Sequence, residues 1–450
     1  MSNIQIVKRL YGIAVPIFIS SSVALLAIFL NTAIVGHAVP NSLYILGIFL
    51  PISIVFMAVH ESLRVSAIAF SAEASGNQQY DLLNQRLQVL VVASSLIFLG
   101  IYLLFEVLKF DLLSLYNIAD ETYFQVVDFT RAQILLSALV MLSIILMSSL
   151  YALGKPFHVT VVTVVGFGAN VTLTYILVTY SSAGLYSLVY STVITSVLSI
   201  VIALFMLKRT RVIHLFSDFP SQIKAHLLSI KHFSGPVFFS YLVMFLNLFL
   251  LNKLLATFSQ NDVAGFGVAY RIQNIILMPA IATGVALGVH ANRLKASGEF
   301  ALVRRFINVA MGSVLLIYVV VSPLVFVYKE FLLSLLTNSS TILKAASFYL
   351  HYIAPTYIVT GPLLVLLVYM QETGQGVRSL LFNISALIVQ MSLASYAVFV
   401  HDSLELMYQV LVSTNILILG YLFYEIRRSH LQYRRAKSNS IGDSLTAVTP

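Results

Sequence analysis

Apolar residues run in long stretches broken by short polar intervals. Most of the chain shows neither the two-residue alternation of a half-exposed strand nor the single apolar stripe of a surface helix. A helix needs about 20 apolar residues to cross a hydrocarbon core. On that measure twelve spans are predicted, at 11–35, 43–70, 86–106, 128–150, 157–180, 184–207, 232–256, 263–290, 305–328, 343–370, 378–400 and 404–426. The stretches are too long and unbroken for the ten-residue alternating strands of an outer-membrane barrel. The pattern therefore predicts an all-α polytopic membrane protein.

Composition narrows the class further. Of 450 residues, 59% are hydrophobic and 10% charged, against roughly a quarter charged in a soluble domain. No polar stretch is long enough for a separate catalytic domain. Cysteine is absent, which excludes disulfides, thiolate metal sites and thiol nucleophiles. Tryptophan is absent too, so an interfacial aromatic belt falls to the 24 Tyr and some of the 30 Phe.

The net charge of +9 would suggest nucleic acid in a soluble protein, but its distribution says otherwise. With twelve spans, 19 of the 26 Lys and Arg lie on the side of the two termini and 3 on the other, Lys109, Lys329 and Lys344. Arg64, Arg131, Lys253 and Arg271 fall within spans. The positive-inside rule then places both termini in the cytoplasm, and the basic excess reads as a topology signal. The first span follows only ten residues, with no small-residue cleavage site, and is expected to be a retained helix. Residues 431–450 read as a polar, Ser-rich cytoplasmic tail.

The chain also repeats. A shift of 220 residues aligns Pro16 with Pro236, Phe18 with Phe238, Ser20 with Ser240 and Val23 with Val243. It also aligns Leu26 with Leu246, Phe29 with Phe249, Leu30 with Leu250, Asn41 with Asn261 and Gly47 with Gly267, nine identities in the 32 positions 16–47. The same shift pairs Gly154 with Gly374, and a drift of two pairs Ala74-Ser75-Gly76 with Ala296-Ser297-Gly298. The chain is read as an N-terminal six-helix bundle at 1–207, a basic cytoplasmic linker at 208–231 and a C-terminal six-helix bundle at 232–430. Because six is even, the bundles share an orientation, and a pseudo-two-fold along the membrane normal is expected.

The run Asn31-Thr32-Ala33-Ile34-Val35-Gly36-His37, following Pro16, resembles the first-helix signature D-T-x-x-x-G-H of the multidrug and toxic compound extrusion (MATE) family. "RVSAIAFSAEASG" from Arg64 to Gly76 resembles the second helix of its DinF-like branch. "ALGKP" at 152–156, "NVTLTY" at 170–175 and "GFGVAYRIQNIILMPAIATGVALGV" at 265–289 are similar to further family patterns, so the likeness covers nearly the whole chain. It implies twelve helices in two bundles and alternating access. It further implies export of small organic substrates driven by H+ or Na+, with no bound cofactor, from a bacterial cytoplasmic (inner) membrane. A monomer in the lipid bilayer is expected, with no nucleic-acid partner.

Where the family signature opens on aspartate, this chain has Asn31. Where the fifth-helix pattern N-x-x-L-D-Y supplies another, it has Thr174. An aspartate changes charge with its proton, whereas Asn and Thr cannot. Met244 and Pro362 fall about where sodium-coupled relatives carry acids in the seventh and tenth helices. Of the 17 acids only Glu61 lies deep within a span, with Asp128 and Glu372 near interfaces. A carboxylate at such depth needs a reason. Glu61 and Arg64 share a helix face at i,i+3. Either Glu61 is a substitute proton or cation site tuned by Arg64, or the two are a permanent bridge that fixes the second helix.

Asn31, Asn170, Thr174 and Tyr175 are candidates for a neutral polar network in the first bundle; ordinary interhelical hydrogen bonding is the other reading. Arg271, at mid-depth in the eighth span, is a candidate substrate contact with Gln273 and Asn274, which could equally just satisfy it. Arg131 and Lys253 read as snorkelling side chains. Pro16, Pro51, Pro236, Pro279, Pro355 and Pro362 lie in spans, where they permit bends. No catalytic group or metal site is expected, since there is no HExxH, no phosphate loop and no Ser/His/acid grouping. A MATE-like exporter is the leading function. A flippase of lipid-linked or amphiphilic anionic substrates is the alternative, and a membrane-embedded enzyme is disfavoured.

Overall fold

A computed structural model of the chain describes residues 1–114, 120–209, 222–337, 339–416 and 420, leaving out the side chains of 43, 44, 50, 51, 111–114 and 120–122. Half of the predicted linker, the polar tail, the Pro51 side chain and the end of the twelfth span lie outside these residues. The described chain is helical from end to end: α1 (Asn3–Ala38), α2 (Ser42–Asn77), α3 (Tyr80–Ser114), α4 (Asp120–Ala152), α5 (Pro156–Tyr180) and α6 (Ser187–Arg209). Then follow α7 (Ile223–Leu255), α8 (Gln260–Ala296), α9 (Phe300–Ser334), α10 (Ser340–Ile353), α11 (Tyr357–Glu372) and α12 (Gly376–Phe399). A last helix begins over 404–416. Among the described residues eleven segments are long and apolar enough to span a membrane, α10 and α11 together forming one of them, Ser340–Glu372. The protein is thus an all-α multi-pass membrane protein.

The chain forms two compact units, Val15–Leu242 and Met1–Ala14 with Val243–Pro450. Two helices are therefore shared. The first turns of α1 belong with the later half of the chain, where Tyr11 Oη donates to Ser313 Oγ at 2.9 Å and His290 Nε2 lies 3.1 Å from the Arg9 carbonyl. The first turns of α7 belong with the earlier half.

In the Val15–Leu242 unit the core is aromatic. Phe49 meets Phe56 and Phe129 edge-on at 5.8 and 5.5 Å, and Phe56 meets Phe98 at 5.9 Å. Edge-to-face packing is the arrangement ring quadrupoles favour. Pro16 lies inside α1, and its own carbonyl accepts from the Ser20 and Thr160 hydroxyls at 3.0 Å each. In the other unit Pro279 lies inside α8. Proline removes one helical donor and pushes back the carbonyl a turn earlier. There the buried Tyr318 hydroxyl donates to the Ile276 carbonyl at 2.8 Å. Pro355 lies in the short Ala354–Thr356 turn that divides α10 from α11, and Ser322 Oγ donates to the Ala354 carbonyl at 2.7 Å.

The 220-residue repeat is visible in the backbone. Gly154 and Gly374 both turn through positive φ, 89° and 76°, which an L side chain resists. Where the sequence match drifts by two, the left-handed residues keep the original spacing: Gln78 at 62° and Gly298 at 78°.

Candidate functional site

Three features of the described residues carry chemistry. The first is a network of neutral side chains in the Val15–Leu242 unit. Asn31 Nδ2 donates to Asn170 Oδ1 at 2.7 Å, joining α1 to α5. Asn170 Nδ2 in turn faces the hydroxyls of Ser191, Thr192 and Thr195 on α6 at 3.4, 3.2 and 3.4 Å. Thr174 Oγ1 lies 2.8 Å from Ser191 Oγ and 2.9 Å from the Asn170 carbonyl. Asn170, Thr174, Ser191 and Thr195 are all buried. The structure thus brings together three of the four residues expected here. Tyr175, a residue on, is 53% exposed and outside these bonds.

Ser191, Thr192 and Thr195 were missed by the sequence reading. Their i, i+1, i+4 spacing, which sets Ser191 and Thr195 on one helix face with Thr192 beside them, is the signal that could have found them. No member of the network gains or loses charge with pH. One acceptor is left over, since Asn31 Oδ1 is buried with no hydrogen-bond partner among the described residues. An unmet buried acceptor costs about 1–3 kcal/mol. The network can therefore take up one hydrogen-bond donor, or a cation's positive charge, without supplying a counter-charge.

The second feature is the pair on α2. Arg64 Nε donates to Glu61 Oε2 at 2.7 Å, with 20% of the Arg64 side chain and 32% of the Glu61 side chain exposed. The adjacent His60 Nε2 lies 3.1 Å from the Ser137 carbonyl, and its ring rests on Phe98 at 5.3 Å.

A carboxylate the sequence reading placed near an interface stands out more in the fold. Glu372, the last residue of α11, is 0% exposed. Gly288 on α8 makes room for it: a Cβ there would lie 2.4 Å from the Glu372 Cβ. Asn292 Nδ2 donates to the Glu372 carbonyl at 2.8 Å. Its repeat counterpart 220 residues earlier is Ala152, also fully buried. Burial in the fold cannot be read from position along a span, so hydropathy alone did not mark it.

The third feature is a cavity of about 160 Å³ in the unit containing α8. Amides and phenols line it, among them Asn247, Tyr270, Gln273, Tyr349, Tyr357 and Gln390, and no acid does. Tyr349 Oη donates to Gln273 Oε1 at 3.0 Å, and Asn247 Nδ2 to Gln390 Oε1 at 3.3 Å. Asn247 Oδ1 and Tyr357 Oη are buried without hydrogen-bond partners among the described residues. The volume is below the roughly 300–1,000 Å³ of a drug-sized pocket, so it suits one polar group of a larger ligand. Gln273 is therefore a cavity residue, whereas Arg271 and Asn274 are exposed on the same helix.

Arg131 is tied into an ion-pair group, donating from Nη2 to Glu106 at 2.8 Å and from Nη1 to Asp128 at 2.9 Å. Among the described residues no three His, Asp or Glu converge as a metal site would require.

The MatE family profile matches residues 16–176 and again 236–395. The two matches begin 220 residues apart, the spacing of the internal repeat. The chain belongs to the MatE family. MatE proteins are membrane transporters and not enzymes. Among curated relatives, the multidrug export protein MepA of Staphylococcus saprophyticus is 22% identical over 55% of this chain and 55% of its own. The probable multidrug resistance protein YoeA of Bacillus subtilis is 21% identical over 49% and 48%. The chain thus spans about half the length of the curated relatives it matches.

Solved MATE folds superpose on nearly all of it. The MOP superfamily transporter of Pyrococcus furiosus, described as having a binding pocket of reverse polarity, gives a TM-score of 0.86 at 19% identity, covering 97% of this chain and 99% of its own. The Vibrio cholerae MATE transporter VcmN in its bent form gives 0.84 at 16% identity, covering 96% and 99%. These likenesses establish the MATE fold, two six-helix bundles, for this chain.

Proposed function

We propose that the chain is a secondary exporter of small organic compounds, working by alternating access and driven by H+ or Na+ through acids outside the family's usual places. The observation that carries this is the uncharged Asn31–Asn170–Thr174 network. In that network a substrate donor or a cation can be held, but a proton cannot be exchanged. Coupling then falls to carboxylates elsewhere. Glu61 is the first candidate, because it lies within a span beside Arg64, whose Nε is 2.7 Å from its carboxylate, and a conformational change could part the two. Glu372 is the second, as a fully buried carboxylate at the end of α11 packed against Gly288 of α8. The membrane is taken to be a bacterial cytoplasmic membrane with both termini inside, in keeping with the charge asymmetry of the loops. The relatives named for multidrug export favour a drug-like or metabolite-like substrate.

Efflux of dyes and drugs from an exporter-deficient bacterium tests this, with the proton gradient collapsed in one arm and sodium removed in another. Glu61→Gln should abolish gradient-driven efflux while leaving substrate binding in place. Unchanged efflux in that variant would remove Glu61 from the coupling path.

A flippase of amphiphilic anionic substrates is the second reading. The lack of acids around the cavity favours it, and exposed Arg271 is a cation carried on the same helix as the cavity-lining Gln273. Arg271→Ala should weaken binding of anionic amphiphiles by about tenfold, the loss of one charge-assisted contact, and leave cationic compounds little changed. Equal loss for both classes would count against a role in charge selection.

A further inference from the structure

The two helices that open the repeats bury the same face in their first turns, with one telling exception. In α1 the buried positions include Ile6, Leu10 and Ala14, with Ile13 beside them. At the same 220-residue spacing α7 buries His226, Ile230 and Ser234. An imidazole thus stands where the first repeat has isoleucine. His226 is 5% exposed, and its Nε2 has no hydrogen-bond partner among the described residues.

These turns of α7 are docked within the Val15–Leu242 unit, while α7 from Val243 onward belongs to the other. Buried Ile230 and Val237 help seat these turns. Ser66 and Ser234 share a hydrogen bond at 2.6 Å, and Phe70 meets Phe233 edge-on at 5.7 Å. Phe70 in turn carries the Arg86 guanidinium over its other neighbourhood, 4.9 Å from the ring centre. Arg86 Nη1 donates to Glu73 at 2.8 Å and lies within electrostatic reach of His226. Asp81 on α3 and Lys208 and Arg209 at the end of α6 are exposed. On α7 itself Lys224, Lys231 and His232 are exposed. The charge shown to bear on the imidazole is therefore cationic, Arg86, with the nearby Glu73 engaged by that same guanidinium.

A neutral imidazole fits this environment as a slightly polar stand-in for isoleucine. A protonated one needs acceptors at both nitrogens, has none at Nε2 among the described residues, and is repelled by Arg86. We propose that His226 is a proton-binding site that releases the first turns of α7. In the neutral form it keeps Ile223–Leu242 seated on α2 and α3, and a proton detaches them. This rests on the transporter reading, in which a helix belonging to two units must loosen one attachment as the units move.

The chain has no native cysteine, so paired spin labels can be introduced cleanly. Labels at Lys231→Cys and Gln79→Cys, both exposed, report the separation of α7 from the start of α3 in full-length protein. Between pH 8 and pH 5 a second, longer-distance population should appear and come to hold most of the molecules. His226→Phe should keep the short distance at both pH values, with His226→Asn as the second variant if phenylalanine does not fold. An unchanged distribution in the parent, or a shift that persists in both variants, overturns the proposal. Export assays on the parent separate the two readings. Distances that move without any export would sink the transporter and leave the proton site, while export with fixed distances would do the reverse.

Discussion

Valine at Gly361 should leave almost no folded protein. A Cβ at this position would lie 2.2 and 2.4 Å from two carbons of the Tyr318 ring, so something must shift. The ring cannot swing aside freely, because its hydroxyl is committed to the Ile276 carbonyl beside the Pro279 bend. Gly361, Tyr318 and the bend therefore fix α11, α9 and α8 against one another. Overpacking alone costs about 1–3 kcal/mol, and abandoning the buried hydrogen bond adds about 1–3 kcal/mol. The measurement is thermal unfolding in detergent with monodispersity by size exclusion. Gly361→Ala should already lower the melting temperature, and adding Tyr318→Leu should recover part of the loss by removing the ring. A Gly361→Val protein as stable as the parent would show that α11 does not approach α9 this closely.

The second large effect is expected from Asn31→Asp, which restores a titratable group to the neutral network. An aspartate has an ordinary pKa near 3.9, and burial raises it by up to about 3–5 units. The new group therefore ionises between about pH 4 and pH 9. Below its pKa it is uncharged and matches asparagine in shape. The variant should behave like the parent at low pH and depart from it as pH rises, when a negative charge faces Asn170 and the α6 hydroxyls. A buried unpaired charge is costly enough for a change of at least about tenfold in transport rate. Rate against pH in proteoliposomes checks this. Coincident profiles would mean that Asn31 lies off the transport path.

Much of the fold was legible because a membrane span is written in one variable, the length of an apolar run. Eleven of the predicted spans have counterparts among the described helices, and the twelfth begins at 404. The 220-residue repeat was legible for a similar reason: turn glycines such as Gly154 and Gly374 are fixed by backbone sterics. Helix sharing was not legible. Nothing in hydropathy says that residues 1–14 pack with the later half of the chain, because the apolar stripe looks the same whichever neighbour it meets.

The site divides along the same line. Asn31, Asn170 and Thr174 were found because they occupy family positions, and the fold joins them. Tyr175 was carried along by adjacency, but one residue of helix is a rotation of about 100°, and its side chain is exposed. The pairing of Glu61 with Arg64 followed from i,i+3 spacing. Glu372 and His226 were not singled out, because each sits at a helix end where charged residues are common. Only the fold shows that both are buried.

On the proposed reading, ion coupling bypasses the neutral network and depends on a carboxylate elsewhere, with Glu61 foremost. The most direct test is ion movement driven by substrate in proteoliposomes of the full-length protein, followed with a pH-sensitive dye and a sodium electrode. Substrate should move protons or sodium in the parent and in an Asn31→Ala, Thr174→Ala variant, and should move neither in Glu61→Gln. Ion movement that survives Glu61→Gln but is lost in the Asn31 and Thr174 variant would place coupling in the neutral network instead.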